Sequence, residues 1–222
     1  IALLTSIGSG ICGAAAVLGA ESTIQTKPYK TAVAVATVVI FGTISMFIYP
    51  IAYRAGILGL SPEEMGIYAG STLHEVAHAV GAGNAMGTDI SNVAIIVKMI
   101  RVMLLVPVLL ILGYWVALNA ARSGASGDSR KGGKIAVPWF AVLFLVVIGF
   151  NSLNLLPQSV IDVINWICTF LLTMAMAALG AETSIDKFKK AGAKPFVLAA
   201  LLYVWRLAAG WALSKYLAPL FL

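Results

Sequence analysis

Residues 31–52, TAVAVATVVIFGTISMFIYPIA, run for 22 positions without a single charge. The hydrocarbon core of a bilayer needs about 20 mostly apolar residues per helix. This stretch therefore reads as a membrane-spanning helix, and the rest of the chain is read outward from it. Six further segments are apolar enough to join it: Ile1–Ala20, Gly66–Gly83, Ile90–Ala117, Ala136–Leu156, Val160–Ala181 and Pro195–Leu217. None alternates with a strand period. Helices, rather than a barrel, must then satisfy the backbone in lipid. The expected fold class is all-α, a polytopic membrane protein of about seven spans.

Composition agrees with that reading. Of the 222 residues 60% are hydrophobic and 11% charged, and mean hydropathy is +0.96. A soluble domain carries roughly 25% charged residues to solvate its surface. A soluble enzyme, a disordered chain and a nucleic-acid reader are excluded. The net charge of +6 is 15 Lys+Arg against 9 Asp+Glu; in a membrane protein such an excess marks cytoplasmic loops. With seven spans, Arg54, Arg122, Arg130, Lys131, Lys134, Lys187, Lys189, Lys190 and Lys194 fall on one side, and Lys27 and Lys30 on the other. That places the C-terminus outside. Trp115, Trp139, Trp166 and Trp211 lie towards span ends, as an interfacial belt would. Cys12 and Cys168 sit in apolar segments and read as small core residues. The chain opens at Ile1 directly into an apolar stretch with no basic leader, so a longer protein with further N-terminal helices is expected.

Four segments carry polar chemistry. GSGICGAAAV, Gly8–Val17, would loosen or break a helix at mid-membrane. Broken helices present backbone N–H groups and a positive dipole end to anions, whereas small residues alone would serve close helix packing. Ser6, Ser9 and the Gly10 backbone are the expected ligand contacts. GSTLHEVAHAVGAG, Gly70–Gly83, holds an intramembrane His74, Glu75 and His78, and ionisable groups there mark function by default. On one helix His74 and His78 share a face. The same HExxH spacing supplies two zinc ligands and a base in metalloproteases, with Asp162, after Asn154 and Pro157, as a candidate third ligand. VKMIR carries Lys98 and Arg101 on one face, to pair with Glu75, to hold an anion, or to snorkel to an interface. AMAALGAETS, Ala175–Ser184, is a second small-residue interruption around Gly180, the expected counterpart of Gly8–Val17 in an inverted repeat. Arg206 is a lone charge in the last span.

These stretches, with KMIRVMLLVPVLLIL, VPWFAVLFLVVIGFNSLNLLPQSV and KKAGAKP in the same order, closely resemble the YeiH-type sulfate exporter family, a branch of the bile-acid/arsenite/riboflavin transporter superfamily. The likeness runs end to end. It implies an inner-membrane protein of about ten helices in two inverted repeats of about five. Residues 1–52 would then be the last two helices of the first repeat and 66–217 the second. It implies transport of sulfate or a related sulfur oxyanion, with Ser9, Cys12, Gly13, Ser71, Thr72, His74, Glu75, Lys98, Arg101 and Asn151 in its characteristic segments. Glutamine often stands at the position of His78 in that family, which argues against zinc. Arg206 is unusual for it and is left off the expected site. The expectation is a secondary transporter of a small inorganic or organosulfur anion, with Glu75 and His74 coupling to protons. No cofactor or nucleic acid is expected, and the bilayer and a homodimer are the expected partners. The competing readings are an intramembrane zinc protease built on His74, His78 and Asp162, and an orphan receptor without transport.

Overall fold

The computed structural model describes residues 1–24, 26–122, 139–153, 156–182 and 193–220. The basic stretches 123–138 and 183–192, Asn154 and Ser184 lie outside them. Every regular element among the described residues is helical. In chain order these are α1 (Ala2–Gly10), α2 (Ala14–Ile24), α3 (Pro28–Arg54), α4 (Pro62–Thr72), α5 (Val76–Met86), α6 (Thr88–Met103), α7 (Leu105–Arg122), α8 (Trp139–Ser152), α9 (Gln158–Glu182) and α10 (Ala193–Ala212). A π-helical turn, Leu213–Leu217, and a short 3-10 turn continue α10.

Three stretches are long and apolar enough to cross a bilayer: Pro28–Arg54, Thr88–Val116 and Ala193–Leu220. The middle one is α6 and α7 end to end. It is interrupted only at Leu104, three residues before Pro107, where the proline ring lacks an N–H for the carbonyl one turn back.

Two segments expected to be single spans are each a pair of half-length helices folded back. In the first, a Cβ added at Gly8 would sit 2.5 Å from Val17 Cγ2, so α1 and α2 lie side by side. The corner is Gly13, whose φ of +75° is open to glycine at no steric cost. In the second, a Cβ at Gly66 would meet Val93 Cβ at 2.6 Å and one at Gly83 would meet Ser91 Cα at 2.7 Å. Residues 66 and 83 thus flank the same turn of α6, which an unbroken helix would hold about 25 Å apart. The α4–α5 segment is therefore a re-entrant hairpin and not a span. Its corner is Leu73–Glu75, with extended backbone at both Leu73 (ψ 149°) and Glu75 (ψ 159°).

Local chemistry explains where α4 starts. Ser61 and Glu64 form a reciprocal capping box, Ser61 N–H to Glu64 Oε2 at 2.7 Å and Glu64 N–H to Ser61 Oγ at 3.2 Å, with Pro62 at the first helical position. Gly87, φ +149°, then turns α5 into α6.

The long helices fix the direction of each hairpin. Gly19 packs on Leu109 and Gly113 faces Thr23, so α2 and the end of α7 run to the same end of the bundle. Arg54 Nη2 donates to Ala85 O at 2.5 Å, Trp211 Nε1 to Leu58 O at 2.9 Å and Lys215 Nζ to Gly59 O at 3.0 Å. The ends of α3, α5 and α10 therefore share the opposite end. Each hairpin is followed by a long helix, α3 after α1–α2 and the end-to-end α6–α7 after α4–α5. One buried cluster, around Leu4, Val17, Val38 and Leu105, packs α1–α3 against α7. A second, around Tyr49, Met65, Tyr68 and Leu73, packs α4–α6 against α3. The helices α8 and α9 touch α5, α6 and α7, with Val146, Val163, Trp166 and Phe170 exposed, as side chains facing lipid would be.

Candidate functional site: the meeting of two hairpin corners

The two corners touch. A Cβ at Gly13 would lie 2.6 Å from Glu75 Cγ and 3.3 Å from His74 O. Lys98 stands ten residues into α6, about 15 Å from its start, which is half the depth of a bilayer core about 30 Å thick. Measured along α6, the contact therefore lies about half a bilayer-core thickness from the start of that helix.

The backbone at such corners has unsatisfied groups of both signs. The C-terminal ends of α1 and α4 carry free carbonyls and roughly half a negative charge each, and the N-terminal ends of α2 and α5 the reverse. Side chains from elsewhere answer most of them. Lys98 is fully buried, and its Nζ donates to Leu73 O at 2.5 Å, His74 O at 2.6 Å and Ile11 O at 3.3 Å. Arg101 Nη1 donates to Leu73 O at 3.0 Å and Nη2 to Gly10 O at 2.5 Å. One helical face thus caps the C-termini of α1 and α4 together. Glu75 Oε1 accepts from Ala14 N–H at 3.4 Å and so faces the N-terminus of α2. Lys98 and Arg101 neither snorkel nor hydrogen-bond to Glu75; they are spent on main-chain carbonyls.

His74 and His78 do not share a helix face, because His74 lies in the corner and α5 begins at Val76. His74 Nε2 is 2.7 Å from Arg206 Nη1. An arginine has no acceptor, so Nε2 must accept and the His74 proton must sit on Nδ1. His78 Nε2 pairs with Thr43 Oγ1 at 3.4 Å, and its ring lies against Gly42, where an added Cβ would come within 2.6 Å of it. Asp162 is exposed on α9, bonded to Gln158 at 3.0 Å. Among the described residues no three His, Cys, Asp or Glu side chains group as a metal site would require.

The other expected residues divide. Gly10, Cys12, Gly13, His74, Glu75, Lys98 and Arg101 belong to the meeting point, and Ser9 is buried on α1 one turn from it. Thr72 accepts from Tyr49 Oη at 2.7 Å and donates to Tyr68 O at 2.5 Å. Its hydroxyl is committed to joining α3 and α4, beside the stacked Tyr49 and Tyr68 rings. Ser71 Oγ bonds Tyr68 O at 3.2 Å. Ser6 and Asn151 are exposed. Gly180 lies in the last turn of α9, which runs unbroken from Gln158 to Glu182. A second interruption among the described residues is at 73–75; of the segment 175–184, residues 183 and 184 lie outside the described residues. Arg206, left off the expected site, belongs to it through His74; its signal was the lone charge of the last span.

Long apolar helices with buried cations at the meeting of two half-length helix pairs define an integral membrane protein. The chain belongs to the UPF0324 membrane protein family: a family model described as Conserved hypothetical protein 698 matches residues 1–199. It is 68% identical over 219 residues to a UPF0324 membrane protein of Bacteroides thetaiotaomicron, covering 99% of this chain and 65% of that one. It is 50% identical over 214 residues to a UPF0324 membrane protein of Bordetella bronchiseptica, covering 96% and 66%. Against the UPF0324 inner membrane protein YeiH of Escherichia coli K12 identity is 50% over 211 residues, covering 95% and 59%. The chain thus spans less than two thirds of the length of these relatives, and none of the three names describes an enzyme. No solved structure matches.

Proposed function

We propose that the protein is a secondary transporter of small anions in the inner membrane, the two hairpin corners forming the central site of an inverted-repeat carrier. The observation that carries the reading is the charge at the corners. Lys98, Arg101 and Arg206 meet there with Glu75, the one carboxylate among the buried residues described. Charges at bilayer mid-depth are costly and are kept where ions pass or bind, and unwound helix pairs at the repeat interface are where carriers of this architecture place their sites. Glu75 is the group whose protonation would alter that balance, which makes it the expected coupling residue. Sulfate or a related sulfur oxyanion is the expected substrate. The test is flux of labelled sulfate and sulfite into proteoliposomes. Flux above protein-free vesicles, lowered at least tenfold in Arg101→Ala and stripped of its pH dependence in Glu75→Gln, is expected. Flux equal to that of protein-free vesicles would reject the reading.

Orientation follows from the hairpins. Folding back α4–α5 moves Arg54 to the opposite end from Arg122. Lys27, Lys30, Arg122 and Lys194 now share one end, and the basic stretches 123–138 and 183–192 adjoin Arg122 and Lys194. Among the described residues, four basic residues thus share one end, against Arg54 and Lys215 at the other. The basic end is cytoplasmic and the C-terminus outside. Single cysteines introduced at Lys27 and Lys215, in a background lacking Cys12 and Cys168, test this with a membrane-impermeant maleimide on intact cells. Labelling at position 215 alone is expected, and labelling at position 27 alone would reverse the assignment.

A further inference from the structure

The hydrogen bonds at the corners do not balance evenly: among the described residues the Nδ1 atoms of His74 and His78 and Nη2 of Arg206 are buried without a partner, and Arg206 is the charged one. Lys98 is committed to three carbonyls and Arg101 to two. Among the described residues the Arg206 guanidinium makes one side-chain hydrogen bond, Nη1 to His74, and its buried Nη2 has no partner. A buried N–H of a charged group without an acceptor costs on the order of several kcal/mol, so such a group normally has a partner.

Arg206 also lines a cavity of about 370 Å³ between α4, α10 and the π-helical turn that follows. The cavity lies between the corners and the end that holds Leu58 and Gly59, because α10 passes from His74 at Arg206 to those two residues at Trp211 and Lys215. The π-helical turn at 213–217 forms its outer wall; such turns interrupt regular hydrogen bonding and are frequent at functional sites. Its polar lining is Arg206 with the hydroxyl-bearing Ser71, Thr72 and Ser214, and the rest is mainly apolar, including Trp205, Leu213 and Leu217. The apolar part of the wall would give a bare inorganic oxyanion no contact, whereas an anion with an apolar body would use both parts.

We propose that this cavity is the docking site of a monovalent organic oxyanion, a sulfonate or carboxylate with a small apolar body, whose oxygens pair with the Arg206 guanidinium and the Ser71 and Ser214 hydroxyls while Leu213, Leu217 and Trp205 take the body. The proposal rests on the transporter reading and deepens it, since Arg206 joins this cavity to the corners through His74. A guanidinium suits an oxyanion because its N–H groups are planar and fixed in a fork.

Trp205 lies in the wall and supplies the readout. Butanesulfonate and inorganic sulfate are titrated against the detergent-solubilised protein, following tryptophan fluorescence, with Trp205→Phe to assign the signal. Butanesulfonate is expected to bind at least tenfold more tightly than sulfate. Arg206→Gln is expected to weaken it at least tenfold, and Ala209→Leu, which fills the cavity and leaves the guanidinium in place, at least threefold. Sulfate binding as tight as butanesulfonate, or unchanged butanesulfonate affinity in both variants, overturns the proposal. Butanesulfonate binding that is lost in Arg206→Gln, in a protein without flux of any anion, would uphold the docking site and remove the transporter reading.

Discussion

Lys98→Met should lower the stability of the protein by about 4 kcal/mol, because the ammonium it removes serves three buried carbonyls from two different hairpins. Methionine keeps the stem length and the packing against α4. It leaves Ile11 O and His74 O without their lysine donor, at about 1–3 kcal/mol each, and Leu73 O with Arg101 alone. The half-helix ends of α1 and α4, each carrying about half a negative charge, would then face one another with less compensation. For a chain of this size the loss corresponds to roughly 10 °C in melting temperature. Lys194→Met, at the exposed start of α10, serves as the reference and should change stability by no more than about 0.5 kcal/mol. Thermal unfolding of both variants in one detergent decides the matter; equal melting temperatures would show that Lys98 does not hold the corners together.

The second large effect belongs to Gly13→Ala. Two costs add. A φ of +75° is about 1 kcal/mol less favourable for alanine than for glycine. The new methyl would also stand 2.6 Å from Glu75 Cγ and 3.3 Å from His74 O, a crowding of a packed interior that costs about 1–3 kcal/mol. The sum is about 2–4 kcal/mol. The two parts separate in a double-mutant cycle with Glu75→Ala, because removing the Glu75 side chain relieves the crowding and leaves the backbone cost. A coupling of about 1 kcal/mol or more is expected between the two positions, against near-additivity for sites that do not touch. Additive effects would mean that the two corners are apart in the folded protein.

The two corners differ in how far the sequence announces them. Gly8, Gly10 and Gly13 within six residues mark the first as a place where a helix fails, and Gly13 is where it fails. The second has no such mark. Leu73, His74 and Glu75 include neither glycine nor proline, and HEVAH reads most simply as one turn of helix with both imidazoles on one face. The turn is opened by what lies 25 residues later in the chain: Lys98 takes the carbonyls of Leu73 and His74, so they need no intrahelical donor. A local periodicity cannot contain that exchange. At Gly180, where small residues are just as abundant, α9 continues to Glu182. The same gap separated Arg206 from the site, since its partner His74 is 132 positions away.

Hydropathy by itself determined that this chain lives in a membrane, that it is helical, where its charge-free helix α3 lies, and which few charged residues fall within apolar segments. These follow from the cost of leaving backbone or charge in lipid, which depends on residue type and run length alone. It could not determine direction. Two half-length helices folded back at mid-depth present the same apolar length as one span, so seven segments and two re-entrant hairpins give the same hydropathy. Only tertiary contacts separate them: Gly66 and Gly83 on one turn of α6, Gly8 on Val17, and Arg54 on Ala85. Those contacts fold two of the expected spans into hairpins whose corners meet around Lys98, and leave Arg206 as the cation with a donor to spare.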